Sequence, residues 1–108
     1  AGAEALSSLL ALSPRPTAVC CISDENAIPL VHALRSYGFR VPEDISVIGF
    51  DDWPMAQALN ISTVRHDPRS YGALAADAAI TGEILTESCI VVPTTLMLRG
   101  TTGPAPRD

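Results

Sequence analysis

Two carboxylates that follow a strand-like run are the residues of this sequence best suited to contact a ligand. Asp51 and Asp52 come directly after the apolar run "ISVIGF". Burying a charge without a partner is costly, so these aspartates must be solvated, paired or used for binding. Ser23 and Asp24 take the corresponding place after a second apolar run, "TAVCCI". If the two runs are neighbouring strands, the four residues belong to one polar site.

The distance along the chain between the two runs predicts a βαβ unit. Residues 17–22 and 45–50 have the length and apolar content of strands that are covered on both faces. A helix between them gives a right-handed crossover and parallel strands. The carboxyl ends of parallel strands share one edge of a sheet, and open α/β sheets bind ligands at that edge. We therefore expect an α/β fold with both polar pairs at the ligand-binding edge.

The connecting helix has two possible starts. Asn26 is the preferred N-cap, because it places Pro29 in the first turn, where the missing amide donor costs nothing. Asp24 is the alternative cap. The helix is expected to reach about Tyr37, with Gly38 closing it at the C′ position.

Patterning divides the remaining chain into two helices, one irregular turn and three short strands. In order, these are a helix at 3–12, a turn at 53–59, a strand at 61–66, a helix at 69–85, and strands at 89–92 and 94–100. The helix at 69–85 has apolar residues on more than one side, so we expect cover from more than one direction. The tail from Thr101 is expected to fray.

Composition excludes several classes of function. The chain has 108 residues, 47% of them hydrophobic, which suits one small globular domain or part of a larger one. With a net charge of −5, these residues are not expected to bind DNA. No apolar run approaches the roughly 20 residues that cross a bilayer. All seven cationic residues are Arg, and a phosphate-binding loop or a phosphoryl-accepting receiver domain needs a Lys.

Motifs for catalysis or metal binding are not recognisable. Cys20, Cys21 and Cys89 lack the spacing of metal ligands, and we expect free thiols in a reducing cytosol. His32 and His66 are isolated, and no Ser-His-Asp or Cys-His order is present. The sequence therefore predicts a protein that is not an enzyme and that needs no metal or cofactor.

Several motifs occur in one order along the chain: "RPTAVCCISDENAIPLVHALRSYGFRVPEDISVIGFDD", "STVRHDPRSYG" and "VVPTTLMLRGTT". Together they resemble the sensor region of Lac-repressor-type (LacI/GalR) transcription regulators over nearly the whole chain, and "RVPEDISVIGFDD" is the most specific part. The resemblance implies a periplasmic-binding-protein-like type I sensor fold, in which two α/β lobes close around a small effector. We expect that effector to be a sugar.

The resemblance also implies how this chain relates to a longer regulator. It implies an incomplete lobe: residues 1–67 and 93–103 form the C-terminal lobe, whereas residues 68–92 belong to the other lobe. Alone, the chain is expected to dock helix 69–85 abnormally or to share it with a second copy. Effector binding would control operator binding allosterically, through an N-terminal helix-turn-helix that this chain lacks, in a cytoplasmic homodimer. A transport-type periplasmic sugar-binding protein of the same fold is the alternative, against which "RVPEDISVIGFDD" argues.

Four residues are expected to contact the effector. By the resemblance, Asp51 accepts hydrogen bonds from effector hydroxyls, which suits a carboxylate, and Ser23 stands where many relatives carry a polar amide. Trp53 offers an indole face on which a sugar can stack, or else it packs against neighbouring loops. His66 has ring nitrogens that can hydrogen-bond a ligand. Asp52, in contrast, is expected to bond local backbone amides.

The connecting helix also offers an interface. Its core face is predicted at helical spacing: Ala27, Leu30, Val31 and Leu34. Ile28, with His32 one turn on, lies off that face. The resemblance places this helix in a dimer contact together with the loop around Ala56 and Leu59.

Overall fold

A computed structural model describes residues 2–82 and 90–107. The described residues form helices and strands in the following order: α1 Gly2–Leu10, β1 Ala18–Cys20, α2 Asp24–Ser36, β2 Ser46–Ile48, α3 Pro54–Ala58, β3 Thr63–Arg65, α4 Pro68–Thr81 and β4 Thr95–Met97. Among them there is no helix with the length and apolar content of a membrane span.

Strands β1 and β2 are parallel neighbours, which confirms the predicted βαβ unit. Val19 pairs with Val47 at the centre of the register, and α2 makes the crossover. The other edge of β2 continues towards β3, because the Gly49 amide donates to the Ser62 carbonyl at 2.9 Å. Strands β3 and β4 are antiparallel. The two strand pairs are therefore joined by backbone hydrogen bonds at the edge of β2.

Helix α2 begins at Asp24, so the expected start at Asn26 is wrong. Ser23 is the N-cap residue, and Pro29 lies inside the helix. The Asp24 amide donates to the Phe50 carbonyl at 2.8 Å, and this contact with another segment fixes the first turn regardless of the proline. At the other end, Gly38 has φ 88°, as expected for a C′ glycine.

The hydrophobic core lies between the two N-terminal helices and β2. All four residues of the predicted core face of α2 are buried, and the cluster comprises Leu6, Leu9, Ala27, Leu30, Val31, Leu34, Val41, Ile45, Val47, Ala56 and Ile61. Burying a side chain of this size contributes about 1.5–3 kcal/mol. The core therefore holds α2 against the sheet and fixes where the carboxyl ends of β1 and β2 lie.

The start of the C-terminal tail is held in place, which corrects the expectation that it frays from Thr101. The Val47 amide donates to the Thr101 carbonyl at 2.8 Å, and the Thr101 hydroxyl donates to the Val47 carbonyl at 2.7 Å. The Gly103 amide donates to Ser46 Oγ at 3.1 Å. Thr101 is fully buried, so these bonds replace water at the edge of β2.

Two other segments differ from expectation. The stretch expected as an irregular turn contains α3, whose N1 position is Pro54, a residue that suits the first helical turn. The strand expected at 89–92 is not found in its described part, 90–92, and Cys89 lies outside the described residues. The strand expected at 94–100 is present as the shorter β4.

Helix α4 is capped at both ends but has little cover. Asp67 accepts a hydrogen bond from the Arg69 amide at 3.1 Å, and Gly82 ends the helix with φ 64°. The helix was expected to reach residue 85, which is wrong at Gly82. Residues 83–85 lie outside the described residues. Within α4 only Ala78 is buried, whereas Ile80 is 83% exposed. How this helix is covered in a longer protein stays a prediction.

Candidate functional site

Polar side chains from three segments meet at the carboxyl ends of β1, β2 and β3. The bond from Asp24 to Phe50 joins the end of β1 to the end of β2. The Asp51 amide donates to the Val64 carbonyl at 2.9 Å, which joins the end of β2 to β3. The four predicted effector-binding residues all belong to these segments: Ser23, Asp51, Trp53 and His66.

Asp24 is a buried carboxylate that holds this edge together. Its side chain is fully buried and accepts two hydrogen bonds, one from the Trp53 amide at 2.8 Å and one from the Thr63 hydroxyl at 2.6 Å. A buried charge requires such partners. The sequence suggested a helix cap, but Asp24 instead connects the start of α2 to the loop after β2 and to Thr63, the first residue of β3, and so fixes the backbone at Trp53.

The glycine of the "GFDD" motif is explained by this carboxylate. A Cβ atom on Gly49 would collide with Asp24 Oδ1 and would lie 3.1 Å from Ala27 Cβ. After the glycine, Asp51 and Asp52 adopt φ 110° and 60°, a region that side-chain-bearing residues rarely occupy. Backbone strain of this kind is found at ligand-binding and active sites, where the surrounding structure maintains it.

Asp51 is paired with His66. His66 Nε2 lies 2.8 Å from Asp51 Oδ1, and because an ionised carboxylate can only accept, Nε2 is the donor. The imidazole stacks with two aromatic rings, at centroid distances of 5.5 Å to Phe50 and 5.2 Å to Tyr71. The sequence placed Asp51 and His66 in one site but gave no sign of this stack, since Tyr71 comes from α4.

Asp52 has a different role from its neighbour, and from the one expected. Its side chain is 1% exposed and pairs with Arg65 Nε at 2.6 Å and Arg99 Nη1 at 2.8 Å. The expectation of bonds to local backbone amides is therefore wrong, because two arginines reach the carboxylate from β3 and the segment after β4. Burial raises the pKa of Asp52, but the hydrogen bonds and charges of Arg99 and Arg65 outweigh this effect and lower it overall.

Trp53 and Ser23 complete the edge. Trp53 is 41% exposed, and its backbone is fixed by Asp24. The Ser23 hydroxyl accepts a hydrogen bond from Asn26 Nδ2 at 3.0 Å. Among the described residues, no group of three or more His, Cys, Asp or Glu side chains could hold a metal ion.

A second feature is an apolar groove on the outer side of α2. It has a volume of about 390 Å³ and is lined by Ile28, Pro29, Val31, His32, Arg35, Leu59 and Ile61. Three of the four residues expected at a dimer interface therefore lie in one groove. The fourth, Ala56, is fully buried within the chain, so its side chain has no surface to offer a partner, and that expectation is wrong for Ala56.

The parallel sheet with its polar carboxyl edge defines a class of ligand-binding domain. Residues 1–102 match a protein family described as a periplasmic binding protein-like domain. The chain belongs to that family, and it corresponds to part of the effector domain of LacI-family transcriptional regulators.

Two solved structures illustrate this similarity. A LacI transcriptional regulator from a Rhodococcus species has a TM-score of 0.82 and 33% identity, over 98% of this chain and 41% of that one. A LacI family regulator from Lactobacillus casei, solved with bound sucrose, has a TM-score of 0.72 and 29% identity, over 94% of this chain and 39% of that one.

A curated relative leads to the same class. The probable HTH-type transcriptional repressor ExuR of Bacillus subtilis is 44% identical over 77 residues, which cover 69% of this chain and 23% of the relative. The chain spans between 19% and 24% of the length of three curated relatives that it matches. These relatives are transcriptional repressors and not enzymes.

Proposed function

We propose that this chain is the effector-sensing and dimerisation part of a LacI-type transcription regulator. In this proposal a small effector, a sugar, binds between the lobe described above and a second lobe. Its binding changes the geometry of the two lobes and so controls operator binding by an N-terminal helix-turn-helix. The pairing of Asp51 with His66 at the carboxyl edge of a parallel sheet is the observation that carries the proposal.

The chemistry of this edge suits a polyol. The Asp51 side chain is 31% exposed, and His66 binds only its Oδ1 atom, so Oδ2 is left to accept from hydroxyl groups. The half-exposed indole of Trp53 offers an apolar face for the C–H groups of a sugar ring, and the Ser23 hydroxyl both donates and accepts. The sucrose bound to the Lactobacillus casei regulator supports a carbohydrate as the effector class.

The exposure of α4 supports an arrangement in two lobes. We assign residues 1–67 and 93–103 to the lobe that carries the site and residues 68–92 to the other lobe. Leu74 and Ile80 on α4 are 40% and 83% exposed, as a helix would be if its cover came from elsewhere in a longer protein. Operator DNA binds outside this acidic chain, and the whole regulator works in the cytoplasm.

The groove on α2 supports a homodimer. Ile28, His32 and Leu59 line one concave surface, and an apolar surface of this kind is typical of an interface. Ala56 does not contact the partner in this proposal. It is a buried core residue that holds α3, and with it Leu59, in place.

Calorimetric titration of the full-length regulator with a panel of sugars, sucrose and glucose among them, tests the effector proposal. Asp51→Ala should weaken sugar binding by roughly ten- to a hundredfold, because a charged hydrogen bond is lost. Glu43→Ala, at an exposed position in the loop before β2, is the matched control. If sugars bind Asp51→Ala as tightly as wild type, or bind neither protein, the proposed site or effector class is wrong. Allosteric coupling between two sites is reciprocal. The factor by which sugar changes the affinity for operator DNA must therefore equal the factor by which operator DNA changes the affinity for sugar.

A further inference from the structure

The His66 ring is held by two aromatic contacts as well as by a hydrogen bond at one nitrogen. Phe50 and Tyr71 both stack on it, with interplanar angles of 25° and 13°. Only 17% of the His66 side chain is exposed, and its Nδ1 atom is buried. A ring held in this way cannot turn towards a ligand without breaking both stacking contacts, so its main partner in the site is the carboxylate of Asp51.

Tyr71 brings α4 into this arrangement. It lies one turn into α4, and its amide donates to the carbonyl of the cap residue Asp67 at 3.2 Å, so the Tyr71 ring moves when the start of α4 moves. Within the described part of α4 the only buried residue is Ala78. The stack on His66 is therefore one of the few contacts that tie the helix to the sheet edge.

We infer that His66 is a positioning residue, which holds Asp51 in the orientation that accepts effector hydroxyls, and that Tyr71 makes this orientation depend on the position of α4. The inference rests on the proposed function and assigns a regulatory link within that site. Displacing α4 removes one wall of the stack, which frees the His66 ring and then the Asp51 carboxylate. Conversely, an effector that fixes Asp51 also favours the stacked position of α4.

Three single variants and one double variant of the full-length regulator separate this link from general stability. Tyr71→Ala removes the aromatic contact from α4 and should weaken sugar binding about three- to tenfold, as expected for an aromatic pair, although Tyr71 is not among the residues proposed to contact the effector. Tyr71→Phe keeps the ring and should restore wild-type affinity. His66→Gln removes the stack at its centre, so adding Tyr71→Ala to it should cause no further loss.

A readout without ligand keeps the inference distinct from the proposed function. In protein labelled with ¹³C at the aspartate carboxyl carbons, the Asp51 signal, assigned by its absence in Asp51→Asn, should shift in Tyr71→Ala and stay in place in Tyr71→Phe. An unmoved Asp51 signal in Tyr71→Ala overturns the inference whatever the sugars do, and so do fully additive losses in the double variant. A shifted signal in a protein that binds no sugar keeps the link but removes the proposed effector class.

Discussion

The carboxylate of Asp24 accepts a hydrogen bond from the Trp53 amide at 2.8 Å, across 29 positions of sequence. The residue that carries the half-exposed indole is thus fixed through its backbone by a side chain that is itself fully buried. The first turn of α2 and the loop after β2 consequently move as one unit. This explains how an exposed tryptophan can have a defined place at the rim of the site.

Asp24→Asn, a substitution at a fully buried position, should therefore change the surroundings of the Trp53 side chain. The substitution replaces the charged acceptor of both bonds by a neutral amide, and the Thr63 hydroxyl can keep a bond only by accepting from the amide nitrogen instead of donating. The expected cost is about 1–3 kcal/mol in the free energy of unfolding. Trp53 is the sole tryptophan of the chain, and its emission, taken as the difference from Trp53→Phe, should shift in Asp24→Asn. Asp77→Asn is the surface control, and equal spectra and stabilities for the two variants would refute this role of Asp24.

Gly49→Ala and Gly72→Ala should change stability in opposite directions. At Gly49 a Cβ meets Asp24 and Ala27, and overpacking of this kind costs about 1–3 kcal/mol. At Gly72, on the exposed side of α4, a Cβ meets nothing within 4 Å, so alanine should stabilise the helix by about 0.5–1 kcal/mol. Urea denaturation measures both changes, and a neutral Gly49→Ala would show that the packing around Asp24 leaves room for a Cβ atom.

Asp52→Asn should change how stability depends on pH. Since the arginines lower the pKa of Asp52 in the folded state, the ionised carboxylate stabilises the fold fully above the ordinary aspartate pKa of about 3.9. That stabilisation is lost as the pH falls through the folded-state pKa. The difference in unfolding free energy between wild type and Asp52→Asn should be about 1–3 kcal/mol at neutral pH and should shrink in acid.

Urea titrations at a series of pH values measure this difference. The control is Asp44→Asn, because Asp44 pairs with an Arg40 side chain that is 71% exposed, and such surface pairs contribute little to stability. A difference between wild type and Asp52→Asn that persists undiminished in acid would mean that the charge of Asp52 is not what stabilises the fold.

Ile28→Asp should convert the full-length regulator from dimer to monomer. The substitution places a charge in the apolar groove that Ile28 lines with Leu59, where a partner would have to desolvate it. Tyr37→Asp, at the end of the same helix and 71% exposed in the wild type, should leave the dimer intact. Sedimentation velocity separates the outcomes, and an unchanged dimer in Ile28→Asp would exclude the groove as the interface.

Sequence patterns within single helices and strands predict most of the fold. Alternation of apolar runs and helical spacing gave the βαβ unit and the buried face of α2, because both depend on periodicity within one segment. The start of α2 was not predictable in this way. Local rules for Pro29 favoured Asn26, but the bond between Asp24 and Phe50 comes from a segment more than 20 residues away and outweighs them.

The site shows the same division. Motif position predicts that Asp51 and His66 share one site, and the structure pairs their side chains, whereas their contact with an effector stays a prediction. The expected roles of Asp24 and Asp52 are wrong. Both depend on side chains that arrive from distant positions: Thr63 for Asp24, and Arg65 and Arg99 for Asp52. No local signal in the sequence indicates which arginine will reach which carboxylate.

The bonds between Val47 and Thr101 have a consequence for synthesis on the ribosome. The peptide group of Val47 is buried, and its partner is translated 54 positions later. Until that threonine leaves the exit tunnel, the amide and the carbonyl of Val47 lack these partners at the edge of β2, and buried backbone groups without partners are rare in folded proteins. The sheet is therefore expected to complete its folding late in translation, with its open strand edge in need of protection until then.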